Sequence, residues 1–176
     1  MSSTALKYSD DTDRAFGLCG MALALYIYDA EQYIASLSTD APADLGLELT
    51  PDFFTVANPT LSAKTVWKSS LQNFSLGSAM LLANLLSRSL VRRHSELSQP
   101  VRNLAINMLV DEGADACGLA EAEVMQICDK AYMYMHRLLS HPGIAGIIRD
   151  MAQALQTERS LSRDRIMPFL SQINNY

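Results

Sequence analysis

Charge is scarce in this sequence. Asp, Glu, Lys and Arg supply 19 % of its 176 residues, against roughly a quarter in ordinary soluble domains. Part of its apolar surface is therefore expected to be covered by a partner, as in a homo-oligomer or a complex with another protein. The net charge of -5 comes with no basic run beyond Arg92-Arg93-His94, so the electrostatic footprint of a nucleic-acid binder is missing. Cysteine is also sparse. Cys19, Cys117 and Cys128 are odd in number and lack CxxC spacing, which excludes a disulfide framework and a zinc knuckle and fits the reducing cytoplasm.

Long hydrophobic runs are absent too. Ala15 to Tyr28 is uncharged but short, and Asp10, Asp11 and Asp13 precede it where a secretory leader needs positive charge. Phe74 to Leu90 is interrupted by Asn84 and Arg88. Neither meets the roughly 20 apolar residues of a bilayer span, so both are expected as buried helices rather than membrane segments. No GxSxG, Walker A or Rossmann glycine pattern occurs. Nothing in the chain points to an enzyme.

Glycine and proline are few and widely separated, with Ala, Leu and Met dominating between them. That is helix composition. It predicts one all-α domain over 1–176, a bundle of five or six helices, with residues 1–12 as an N-terminal tail. A first helix is expected from about Asp13 to Leu37, with Ser9, Asp10 or Asp11 available to cap it. A helix apolar on every side belongs in the middle of a bundle; this applies to the first helix and to a long second one opened by Asn58-Pro59 and closing near His94. Between them, 39–58 is too long for an ordinary helix connection. Within it Leu45, Leu47 and Leu49 alternate as a brief extended piece would, and Thr50-Pro51-Asp52 predicts a short helix carrying Phe53 and Phe54.

Ser98 and Pro100 open a third helix with Val101, Leu104, Ala105, Met108 and Leu109 on its inner face, and Gly118 closes it. A fourth runs from about Ala120 to Leu139. A fifth carries Ile144, Ile147, Ile148, Met151 and Leu155. A last one follows Ser162, where Pro168 predicts a kink or a later start.

The most chemical-looking stretch is KAYMYMHRLLSHPG, residues 130–143. Helical geometry divides it: Met135 points inward, Tyr132, Tyr134 and His136 flank the apolar stripe, and Met133 projects outward beside Arg137. His136 and His141 are five apart, not the i, i+4 of a metal-binding helix, and no Glu-x-x-His occurs. No metal or cofactor is expected, although a single axial histidine, His136, is all that a haem strictly requires. Cys128 and His136 are too far apart along one helix to form a thiol-imidazole pair. Asp111, Glu112, Asp115, Glu121 and Glu123 read as a solvated acidic corner, and they oppose major-groove docking of this helix-turn-helix-like region.

The leading expectation is a non-enzymatic interaction or regulatory module with Met133, Tyr134 and Arg137 at its interface. The alternative is a bundle that binds a small apolar ligand, with Phe53, Phe54, Trp67, Tyr132 and His136 as candidate ligand contacts.

Overall fold

The computed structural model describes residues 6–42, 45–54 and 63–176, without the side chains of 54 and 63–66. The predicted tail over 1–5, the Asn58-Pro59 cap and the Phe54 side chain lie outside the described residues. Of the described residues, 76 % are helical. Its elements in order are α1 (Asp11–Ile27), β1 (Ile34–Ser38), β2 (Leu47–Leu49), α2 (Pro51–Phe54), α3 (Ala63–Leu86), α4 (Gln99–Cys117), α5 (Glu121–Leu139), α6 (Pro142–Glu158), β3 (Ser160–Ser162) and α7 (Arg163–Leu170). A π-turn, Ser87–Arg92, extends α3, and a 3-10 turn, Ser171–Asn175, follows α7.

The two apolar helices α1 and α3 sit centrally, as their all-round hydrophobicity requires. Leu18, Leu23 and Leu25 of α1 and Leu82 and Leu86 of α3 are fully enclosed. Their backbones touch at Gly20, where an added Cβ would stand 2.4 Å from the Ala83 carbonyl oxygen and 2.8 Å from Ser87 Cβ. By length and composition alone Trp67–Arg92 is long enough to cross a bilayer, and 78 % of its apolar window is buried inside the chain. Asn84 and Arg88, which interrupt the run on paper, are both buried too.

Two local expectations change. The first helix ends at Ile27 rather than near Leu37, because Asp29 takes a left-handed conformation (φ 54°) and turns the chain without glycine. The following Ile34–Ser38 becomes the middle strand of an antiparallel sheet in the order β2-β1-β3. Leu37 lies opposite Leu47 on one side and Leu161 on the other. On α4, Met108 points outward (46 % exposed) while Ile106 takes the inner position with Ala105 and Leu109.

The remaining boundaries follow their punctuation. Asp10 caps α1 by accepting the Asp13 N–H at 2.7 Å. Pro100 lies in the first turn of α4, and Gly118 (φ 65°) ends that helix in the left-handed region. α7 runs through Pro168 and tightens into the 3-10 turn after Leu170.

Two helix glycines should respond in opposite ways. Gly20→Ala forces apart the α1–α3 contact and is expected to cost about 1–3 kcal/mol. Gly77→Ala, whose Cβ meets nothing within 4 Å among the described residues, should gain roughly 0.5–1 kcal/mol of helix stability. Urea unfolding of both variants checks the pair of signs.

Candidate functional site

The α5 stretch is arranged as its periodicity requires. Met135 is fully buried, Met133 is 69 % exposed and Tyr134 46 % exposed, and Arg137 is exposed with them. Tyr28, at the end of α1, is near enough to Tyr134 that the phenols interact: burial first, then the Tyr134 hydroxyl, pushes the Tyr28 phenol above its ordinary pKa. Tyr28 and Tyr134 are thus neighbours, both partly exposed.

Among the described candidate ligand contacts Tyr132 and His136 are neighbours, but no single cleft gathers them with Phe53 and Trp67. Trp67 is half exposed and donates its indole N–H to the Cys117 carbonyl at 3.1 Å. Tyr132 packs under the Arg102 guanidinium at 4.0 Å. His136 sits 5.8 Å from the Tyr132 ring, with Nε2 2.9 Å from Glu96 Oε2. Phe53 alone lies in a sizeable cleft, of about 550 Å³, with Tyr28, Tyr33, Lys68 and Gln72. His141 precedes α6 and packs on Tyr176 at 5.1 Å.

The three cysteines are unpaired and buried. Burial pushes all three thiols up, Cys128 to about 11 with help from the Asp129 charge, so none is poised as a thiolate nucleophile near neutral pH. No group of three or more His, Cys, Asp or Glu side chains is gathered among the described residues. The acidic residues 111, 112, 115, 121 and 123 are all exposed.

Sequence reasoning missed a buried ionic network. Asp13 (0 % exposed) and Arg88 (3 %) face each other across α1 and the π-turn. Arg88 donates to Asp13 Oδ2 from Nε at 2.9 Å and from Nη2 at 2.6 Å. Arg92 Nη1 reaches Asp13 Oδ1 at 2.8 Å, and Arg92 Nη2 reaches Asp10 at 2.6 Å. The remaining Arg88 donors hold the N-terminal segment: the Leu6 carbonyl at 3.0 Å and the Lys7 carbonyl at 2.7 Å. The Tyr8 ring lies 4.9 Å from the same guanidinium, and Asn84 donates to the Tyr8 hydroxyl at 2.8 Å. Gly17 makes room for this, since a Cβ there would meet Asn84 Nδ2 at 2.7 Å and Tyr8 Cε1 at 2.8 Å. The available signal was that two ionisable residues lay on helices otherwise apolar all round, where each needs a partner.

Beside this network runs an open, mainly apolar groove of about 840 Å³. The strap Leu6–Tyr8 forms one wall, Met21 of α1 and Met80 and Leu81 of α3 contribute further apolar lining over the enclosed Leu18, and Met108 comes from α4. Gly46 and Leu47 bring in the long connection. Gly77 lies in the same lining, and its missing side chain leaves open space above the helix backbone. Among the described lining residues Lys7 is the charged one, and none of them is a carboxylate.

The class defined by this architecture is a helical bundle with a small antiparallel sheet and a solvent-open apolar groove. Comparison of the chain with protein-family models and with curated proteins gives no match.

The ionic network has a signature in acid. Burial would raise the Asp13 pKa, but the Arg88 hydrogen bonds, the Ser9 N–H and the Arg88 and Arg92 charges outweigh it and hold the carboxyl at about 2. A carboxyl with a depressed folded-state pKa contributes stability that is fully present above its unfolded value and is lost as pH falls through the folded one. The contribution, roughly 2 kcal/mol, should therefore disappear between about pH 4 and pH 2. Asp13→Asn should remove that segment of the stability-pH curve, while Arg88→Met, which takes the buried guanidinium from Asp13 Oδ2 and leaves Arg92 and Arg93 on Oδ1, should cost about 3 kcal/mol at neutral pH. Denaturant melts across this range measure both.

Proposed function

We propose that the protein is a non-enzymatic helical binding module and that the groove between the Leu6–Tyr8 strap, α1, α3 and α4 is its working surface, holding a small apolar ligand. The observation that carries this is Gly77. An exposed glycine midway along a long apolar helix lowers helix stability, and no neighbour within 4 Å among the described residues takes up the room it leaves. Its open position gives the groove a floor that any larger residue would fill. The volume lies within the range of small-molecule sites, which are typically apolar with a few placed polar groups. Met21, Met80 and Met108 suit the role, because unbranched thioethers adjust to irregular apolar guests. The three unpaired thiols support a cytoplasmic setting for this reading.

Exposure on α5 supports a second reading, in which the module also self-associates. Met133 projects from the polar side of its helix beside Arg137, and Tyr134, at the edge of the apolar stripe, neighbours Tyr28. A symmetric contact through this surface would cover Met133. Met133→Asp should then convert the assembly to monomer in sedimentation experiments at high concentration; a wild-type chain that is already monomeric there removes this reading.

The groove is tested with the neutral fluorophore phenylnaphthylamine, which brightens in apolar surroundings. Wild-type protein is expected to bind it. Gly77→Leu should weaken binding by about tenfold or more while the urea midpoint stays at or above wild type. Equal probe binding by the two proteins would contradict the assignment.

A further inference from the structure

Polarity along the groove is uneven, and this narrows the ligand. α1 and α3 run antiparallel, with Asp13 beside Arg88 and Gly17 beside Asn84. The stretch of α3 that lines the groove, Gly77 to Leu85, covers roughly 12 Å at 1.5 Å per residue. Its Gly77 end is flanked by Met80 and Leu81. Its other end carries Asn84, the Tyr8 hydroxyl bonded to it and Lys7. The groove is thus a one-ended amphiphile site: a single polar end closes an otherwise apolar trough.

The charge at that end is limited as well as positive. Arg88 and Arg92 stand nearby, but their donors are engaged by Asp13, Asp10 and the Leu6 and Lys7 carbonyls. Among the described lining residues, that leaves the Lys7 ammonium as the uncommitted cation, with no carboxylate among them to oppose an anion. Tyr8 accepts from Asn84 and retains its own O–H to donate. One cation and one hydroxyl donor match a carboxylate better than a phosphate, which carries more charge and more acceptors.

We infer that the groove takes a free, single-chain fatty carboxylate, its alkyl chain lying along the Met21, Met80 and Leu81 trough and its carboxylate at the Lys7–Tyr8 end. The inference rests on the apolar-ligand reading of the groove and adds the head group and its orientation. Each methylene removed from water contributes about 0.8 kcal/mol, so the chain supplies affinity. The Lys7 end supplies direction and selects the head group, with a contribution that weakens as salt rises.

The test compares three probes of one chain length, dodecanoate, dodecanol and dodecyltrimethylammonium, as monomers displacing phenylnaphthylamine at low ionic strength. The expected order is dodecanoate tightest and the ammonium weakest. Lys7→Glu, a change on an exposed side chain that leaves the Lys7 carbonyl in place, should weaken dodecanoate by roughly tenfold and leave dodecanol unchanged. If dodecanoate and dodecanol bind equally and Lys7→Glu alters neither, the head-group assignment is overturned while the groove stands. If none of the three displaces the fluorophore, both fall. Binding of the wild type only to phosphatidylglycerol vesicles, without monomer binding, would overturn the free-ligand assignment in favour of a bilayer surface.

Discussion

The Asp13–Arg88 pair is the contact on which the rest of the molecule is arranged. Two ionised groups enclosed between apolar helices are tolerable only when their hydrogen-bonding capacity is filled. Arg88 is filled from both sides, by Asp13 of α1 and by the Leu6 and Lys7 carbonyls. The pair fixes the lengthwise register of α1 against α3, and Ser87 adds a bond to the Phe16 carbonyl at 2.7 Å. It also pins the strap that walls the groove. The π-turn, which widens the helix at Ser87–Arg92, brings Arg88, Arg92 and Arg93 to one carboxylate. Stability and site geometry therefore share one network. A fault at Arg88 would loosen the core and the groove wall together.

The surroundings of that network explain where binding chemistry can and cannot lie. The thiols are buried and held in their protonated form, and His136 is occupied by Glu96 at the α5 surface. Besides the more polar cleft at Phe53 and Lys68 there is an apolar trough, whose floor is Gly77 and whose lining carries three methionines. On the proposed reading, an open trough of this kind would suit reversible capture of an apolar ligand along its length.

Much of the helical frame was legible because local punctuation decides it. Pro100, Gly118 and Pro142 mark helix ends by backbone chemistry alone, and the inward residues of α5 and α6 follow the helical period. The sheet was not legible in the same way. Ile34–Ser38 leaves the helical path because its partners, Leu47–Leu49 and Ser160–Ser162, are supplied from elsewhere in the chain, and no local pattern records a pairing with residues over a hundred positions away. The signal that α1 stops early was a single aspartate, Asp29, able to adopt a left-handed turn that glycine usually marks. At the site, the sequence drew attention to aromatics and histidine, whereas the groove is built from leucine, methionine and an absent side chain. Met108 was counted as core because its spacing is right; Ile106 fills that face instead, and the thioether is left at the groove.

The nine methionines offer the most direct view of the central claim that the groove is the binding surface. With their methyl groups carbon-13 labelled, titration with dodecanoate is expected to shift the signals of Met21, Met80 and Met108 together, in one saturable step. Those of Met133, Met135 and Met151 should stay in place. Shifts confined to Met133, or no saturable change at the three groove methionines, would contradict it.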